Sequence, residues 1–396
     1  MRRPLTIGLR YTHKDAWTGG VYYVRNLIKA FGLLSSADRP RLIVVGGDKP
    51  ALEELRAATG YPKLERLSRT RIEVASAPPR LWPFGREIDP REELDLLLMG
   101  SPPGLEFRGV QWVPDFQEHR FPEHFPPEEL SARLERNARW FAAHRHLMVS
   151  SQDVATDLSR HYAQHDNRVH VVRFASFPPA EGIPSDLAAL RARYGLPARY
   201  FLCANQFWRH KNHALVLRAL AEAGSDVPPV VFTGLEQDYR DPDYGPSVRL
   251  LAAELGVEDR ARFLGFIPRP DQLGLMVGAV AVIQPSLCEG WSTTVEDAKA
   301  LGRQVLASDI AVHREQLDRN ADFFAGEDAA ALAVLLRRYA LADPQVTPVD
   351  YDQARRRFAE DLLRMCREVV TDLRRHRQDL AGPVAVTPRK RRWLRG

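Results

Sequence analysis

Residues 288–302, CEGWSTTVEDAKALG, bring three carboxylates to one strand-to-helix junction. The apolar run before them, GAVAVIQPSL, reads as a buried strand, so Glu289 stands in the loop just past a strand end. A carboxylate in that position needs a partner or a ligand. The helix that starts near Thr293 turns amides without intrahelical partners toward the same crevice, and such amides favour phosphate. A carboxylate for hydroxyls beside a helix start for phosphate is the chemistry of a sugar nucleotide. Glu296 has a local explanation: it follows Thr293 by three residues, the spacing of a capping box.

A second stretch, CANQFWRHKNH at 203–213, occupies the matching place after another strand. Arg209 and Lys211 could neutralise a diphosphate there, and His210 and His213 could donate into a pocket. Near the N-terminus Gly19 and Gly20 directly precede a helical pattern, where small residues permit close backbone approach to a ligand. The stretch VQWVPDFQEHRFPEHF offers Asp115, His119 and His124, of which His119 is a candidate catalytic group. Asp241 and Asp243 make a D-P-D, but no other carboxylates cluster near them, so no metal site is expected. No G-x-G-x-x-G fingerprint is present, and no cofactor is expected.

Short apolar runs alternate with longer amphipathic ones along the whole chain. LTIGL, RLIVVGG, LDLLLMG, VQWV and HLMVSS read as strands, separated by helical patterns such as VYYVRNLIKAF. After VHVVRF the segment SFPPAEGIPSD loses periodicity and reads as a hinge. The alternation then restarts with RYFLCA, VPPVVFTG, ARFLGF, GAVAVIQPS, RQVLAS and DFFAG. The expected class is α/β, with two doubly wound Rossmann-like domains at 1–178 and 196–350 facing across a cleft, joined by a hinge at 179–195. Phe358, Leu362, Met365, Val369 and Leu373 share one helical face, so 351–380 is expected to pack as a helix on the body. Residues 381–396 form a basic tail.

With 396 residues, 44% of them hydrophobic, the chain can bury two cores. Lys and Arg number 56 against 51 acids, and the excess gathers at the C-terminus, which excludes a nucleic-acid-binding stripe on the body. Cys203, Cys288 and Cys366 form no C-x-x-C pair and no disulfide framework, as fits a reducing cytoplasm. No apolar run reaches the ~18 residues of a membrane span. The tail, with Arg389, Lys390, Arg391, Arg392 and Arg395 around Trp393 and Leu394, suits peripheral contact with an anionic membrane at its inner face.

Taken together these stretches resemble the retaining glycosyltransferases of the GT-B fold, of the family 4 type (glycosyl transferases group 1). PSLCEGWSTTVEDAKALGRQVLASD is similar to that family's E-x7-E segment, and counting eight positions from Glu289 lands on Asp297. The resemblance implies that the first domain serves the acceptor and the second the donor. It implies that Glu289 contacts the donor sugar, that Asp297 contacts the ribose, and that Gly290, Trp291, Ser292, Thr293 and Thr294 form the donor-binding turn. Asp297 is one methylene shorter than the family's Glu, and the neighbouring Glu296 is the alternative second acid. The family's loop Lys is matched by Lys211, but Gln206 stands where its Arg is expected, leaving Arg209 as the second charge. Gly20 matches the glycine-rich turn. The function implied is transfer of a hexose-type sugar from a nucleoside-diphosphate sugar to a glycan or lipid-linked acceptor, with retention and without a metal, in cell-surface polysaccharide assembly. Two other readings share these features: a sugar-nucleotide epimerase or phosphorylase of the same fold, and a non-catalytic nucleotide-sugar-binding subunit.

Overall fold

The computed structural model describes residues 3–11, 18–45, 49–67, 94–101, 108–179 and 182–380. The basic tail at 381–396 lies outside the described residues. The first domain runs β1 (Thr6–Arg10), α1 (Thr18–Gly32), β2 (Arg41–Val45), α2 (Lys49–Thr59), β3 (Leu64–Leu67), β4 (Leu96–Leu98), β5 (Gly109–Trp112), α3 (Gln117–Arg120), α4 (Pro127–Ala143), β6 (His146–Val149), α5 (Gln152–His161) and β7 (Arg168–Val171). The second runs α6 (Leu187–Arg193), β8 (Phe201–Ala204), α7 (His213–Ala223), β9 (Val230–Thr233), α8 (Tyr244–Glu254), β10 (Ala261–Phe263), α9 (Arg269–Gly278), β11 (Val282–Gln284), α10 (Thr293–Ala300), β12 (Val305–Ser308), α11 (Ala311–Gln316), β13 (Ala321–Phe324) and α12 (Ala329–Leu341), and the chain continues into α13 (Tyr351–Leu380).

Both sheets are parallel, in the orders β3-β2-β1-β4-β5-β6-β7 and β10-β9-β8-β11-β12-β13. Every residue of β4, β8, β11 and β12 is buried, as expected of strands covered by helices on both faces. Each sheet reverses its direction of growth once, between β1 and β4 and between β8 and β11. Ligands of open α/β sheets bind outside the strand carboxyl ends at such reversals. The loops after β8 and β11 carry the two stretches singled out in the second half of the sequence. The architecture is thus the two-domain α/β arrangement expected.

Two details differ from the sequence reading. LERL at β3 pairs in register with β2, although its short, half-charged pattern carries no strand signal. Within the segment read as a hinge, α6 is helical, capped by Asp186 through the Ala189 amide at 2.9 Å, and its Leu190 belongs to the second domain's core.

The long helix α13 returns to the first domain. Phe358, Leu362, Met365 and Val369 enter one core with Leu27 and Phe31 of α1. Contacts across the cleft are specific as well. Glu315 of α11 accepts from the Gln152 amide at 2.9 Å, placing a carboxylate at the N-terminus of α5, and also holds Arg173 at 2.5 Å.

Candidate active site

β11 ends in Gln284, a fully buried amide in an otherwise apolar strand. Its amide nitrogen donates to Glu289 Oε1 at 2.7 Å and to Ser286 Oγ at 2.9 Å, while its oxygen accepts from Asn205 Nδ2 at 3.2 Å. Lys211, in a single 3-10 turn at Arg209–Lys211, donates to the same Glu289 oxygen at 2.5 Å. The loops after β8 and β11 are thereby stitched into one floor, with Glu289 only 8% exposed. Burial by itself raises the Glu289 carboxyl, but the charge and hydrogen bond of Lys211 overcome it and hold the group below the usual carboxylate range. The carboxylate therefore stays an acceptor for sugar hydroxyls.

The chain then turns into α10. Ser292 is the N-cap, its Oγ accepting from the Val295 amide at 3.3 Å. The cap takes one of the orphan amides of the first turn, and those of Thr293 and Thr294 precede any intrahelical acceptor. Both residues line the cleft, and Thr294 Oγ1 donates to the Ala204 carbonyl at 2.9 Å. The capping box expected between Thr293 and Glu296 does not form. Glu296 is 1% exposed and bound to Lys299 at 3.0 Å, to Gln316 Nε2 at 2.9 Å and to the Tyr351 hydroxyl, so it ties α10 to α11 and α13. Of the two neighbouring acids, Asp297 is the one that reaches the cleft.

Asp297 is held on both oxygens, by the Ser176 hydroxyl and by the Arg269 guanidinium. Arg269 lines the cleft at the start of α9 and was not singled out from the sequence, where its only mark is the flanking prolines of IPRPDQ. Gln284 was missed too, and its signal is a lone amide inside VAVIQ.

Other expected residues fall differently. Gly290 and Trp291 line the cleft, and Gly20 lies in the first turn of α1 beside the lining residue Gly19. Arg209 points away from the cleft, 52% exposed and paired with Asp241, so the D-P-D has a protein partner in place of an open carboxylate. His119 does not line the cleft. It donates to or accepts from the Tyr162 hydroxyl at 2.9 Å and stacks on His161 at 4.1 Å, because α3 turns it toward α5. His213 is buried away from the cleft, and burial pushes it down to about 3, so it is a neutral packing group; His210 is also buried and held well below the ordinary imidazole value, but it lies in the lining of the cleft. Among the described residues no three His, Cys, Asp or Glu side chains converge as a metal-ligand set.

The first domain faces this floor with Tyr22, Tyr23, Trp112, Asp115 and Phe174. Tyr23 stacks on Trp112 at 4.3 Å and 8°. Burial, and secondarily the charge of Glu289, raise the Asp115 carboxyl. The opposite end of the first sheet carries a larger groove, about 960 Å³, under α13, but it opens at the amino ends of β6 and β7, away from the reversal point.

The two parallel sheets and the cleft between them make the GT-B fold, and residues 190–358 match the family model described as Glycosyl transferases group 1. A D-inositol 3-phosphate glycosyltransferase of Streptomyces coelicolor is 30% identical over 255 residues, covering 58% of this chain and 54% of that protein. The protein of the same name from Corynebacterium glutamicum is 26% identical over 231 residues, covering 56% and 53%. The chain thus spans about half the length of these curated relatives. Among solved structures, Anabaena Alr3699/HepE in complex with UDP and glucose superposes with a TM-score of 0.61 at 17% identity, covering 95% of this chain and 99% of that one. WaaG, a glycosyltransferase involved in lipopolysaccharide biosynthesis, gives 0.56 at 16% identity, covering 95% and 100%. At such identity the likeness shows the fold.

Proposed function

We propose that this chain transfers a hexose-type sugar from a nucleoside-diphosphate sugar to a glycan or lipid-linked acceptor with retention of configuration, in cell-surface polysaccharide assembly. The observation that carries this reading is the Glu289–Lys211 pair, fixed by Gln284 beside the open first turn of α10. Sugar hydroxyls meet a carboxylate, and the leaving diphosphate meets a cation and helix amides, which stabilise its charge in place of a metal. UDP in the HepE complex and the name of the Streptomyces relative put UDP-sugars among the donors and a phosphorylated polyol among the acceptors to be tried. The test is release of nucleoside diphosphate from UDP-, GDP-, ADP- and dTDP-sugars, with and without acceptor, in excess EDTA. Acceptor-dependent release in EDTA is expected. Isomerised donor without acceptor would make the chain an epimerase, and binding without turnover over the whole panel would make it a binding subunit. Loss in EDTA restored by magnesium would overturn metal independence.

The membrane reading rests on charge. Residues 351–396 hold thirteen Lys or Arg against six acids, so the rest of the chain is slightly acidic. Among the described residues no helix is long and apolar enough to cross a membrane. Each basic residue close to an anionic surface contributes about 1 kcal/mol, so the five in the tail would hold the chain reversibly near a lipid-linked acceptor. Full-length chain should co-sediment with phosphatidylserine vesicles and a chain ending at Val386 should not; equal sedimentation removes the idea.

A further inference from the structure

Among the described residues the permanent cations lining the cleft are Lys211 and Arg269. Each is parked on a carboxylate: Lys211 on Glu289, Arg269 on Asp297. Arg269 is held from three sides. One guanidinium nitrogen donates to Gln272 Oε1 at 2.7 Å, another to Asp297, and the plane lies over the Tyr22 ring of α1 at 4.7 Å. It therefore sits where the two domains meet, one turn from the open amides of α10. Asp297 in this arrangement has no free oxygen, because Ser176 occupies the other one and its side chain is 1% exposed. It can turn to a ribose only if a partner leaves.

We infer that Arg269 is a diphosphate-binding residue held in reserve on Asp297, and that donor binding draws its guanidinium onto the diphosphate and so releases Asp297 to the ribose hydroxyls. The inference rests on the nucleotide-sugar reading above. The guanidinium fork matches phosphate oxygens in pairs, so exchanging a carboxylate for a diphosphate conserves its hydrogen bonds while placing it against more negative charge. Asp297 keeps Ser176 and gains hydroxyl donors, so the exchange leaves no buried charge without a partner. Arg209, the loop arginine nearest Lys211 in sequence, is engaged with Asp241 outside the cleft and does not serve this role.

Calorimetry with UDP, GDP, ADP and dTDP first identifies the nucleotide that the wild-type chain binds, and failure of all four sinks the donor reading itself. With that nucleotide, Arg269→Met should bind about ten- to hundredfold more weakly, and Arg209→Met within about threefold of wild type. Inorganic pyrophosphate, measured by competition, isolates the exchange because it carries no ribose. Asp297→Asn removes the competing carboxylate, so pyrophosphate should bind more tightly, and the gain should vanish in Arg269→Met/Asp297→Asn. Should Arg269→Met fail to fold because it strands Asp297, the double variant, neutral at both positions, carries the comparison with Asp297→Asn. Undiminished nucleotide affinity without Arg269, a loss confined to Arg209→Met, or no gain of pyrophosphate affinity in Asp297→Asn overturns the proposal.

Discussion

Trp291 Nε1 donates to the carbonyl of Phe174 at 3.0 Å, and this bond anchors the residue two places after Glu289 in the opposite domain. Gly290, between them, makes the approach possible. A Cβ there would lie 1.6 Å from the Pro114 carbonyl oxygen and 3.4 Å from the Asp115 side chain. Gly290→Ala must therefore push the two domains apart at the cleft. Turnover should fall by at least about tenfold, since misplacement of reacting groups by an ångström costs that much or more. Bare nucleotide affinity should change little, because Lys211 and the first turn of α10 belong to one domain. Equal loss of both, in calorimetry and turnover assays, would show that the glycine serves the second domain's own fold.

Glu289→Gln keeps the shape of the side chain and removes its charge. The Lys211 ammonium is then left with a neutral partner, and the sugar hydroxyls lose a charge-assisted acceptor. Such a bond contributes about 1.5–3 kcal/mol, so turnover should drop ten- to hundredfold while nucleotide binding stays near wild type. Titration with the nucleoside diphosphate alongside a turnover assay checks this. A fall in nucleotide affinity as large as the fall in turnover would move Glu289 from the sugar to the phosphate end.

Glu296 behaves as a buried tie, and the expected effect of its removal changes accordingly. Glu296→Ala takes the carboxylate away from Lys299, Gln316 Nε2 and the Tyr351 hydroxyl, leaving Lys299 with only the Gln316 carbonyl at 2.7 Å and the Tyr351 hydroxyl with only the Ser176 amide at 2.8 Å. A hydrogen bond to a charged group contributes about 1.5–3 kcal/mol and Glu296 makes several, so the loss should exceed the ~1 kcal/mol of a lost cap. Urea unfolding should show that larger loss, with Tyr351→Phe losing less because Lys299 and Gln316 remain bound. A loss of only a cap's size would mean that the tie to α13 does not form in solution.

The fold was legible because both sheets are parallel and covered on both faces, so their strands read as apolar runs that helical patterns separate. β3 was not, since an edge strand flanked by charges lacks that signature. At the site, Glu289, Lys211 and the start of α10 were legible from position after a strand end. Arg209 and Lys211 looked alike in sequence, yet a 3-10 turn rotates successive side chains, sending Lys211 inward and Arg209 out to Asp241. Arg269 and Gln284 escaped because their roles depend on contacts across distant segments. His119 was chosen by residue type, and its orientation is set by α3, which no local pattern announced. His119→Asn should consequently leave turnover within about threefold, the reach of a substitution away from the reacting atoms.

Stability should fall as pH drops below neutrality, well before carboxylates protonate. Burial lowers His146, His170, His210, His213 and His313 from the ordinary imidazole value of 6.5, with His146 reaching about 4 through burial and the neighbouring His170, against the pull of Asp372. A depressed folded value means that stability is complete above 6.5 and is lost as pH falls toward the folded value, because the unfolded chain takes up protons that the folded chain refuses. Burial lowers His119 and His124 as well, whereas Asp115 and Glu118, whose carboxyls burial raises, act in the opposite sense, favouring the fold as pH falls, so the net slope is smaller than seven histidines would give. Each proton of difference contributes about 1.4 kcal/mol per pH unit. Urea unfolding at pH 7.5, 6.5 and 5.5 should show a plateau followed by a decline. His146→Gln should flatten that decline by up to one proton's worth, since its ring bonds to His170 at 3.1 Å and to Asp372 at 3.1 Å can be partly kept by an amide that does not titrate. A stability that is level from pH 7.5 to 5.5 would show that these rings take up protons in the fold as readily as in the unfolded chain, and a decline that His146→Gln leaves untouched would remove His146 from its cause.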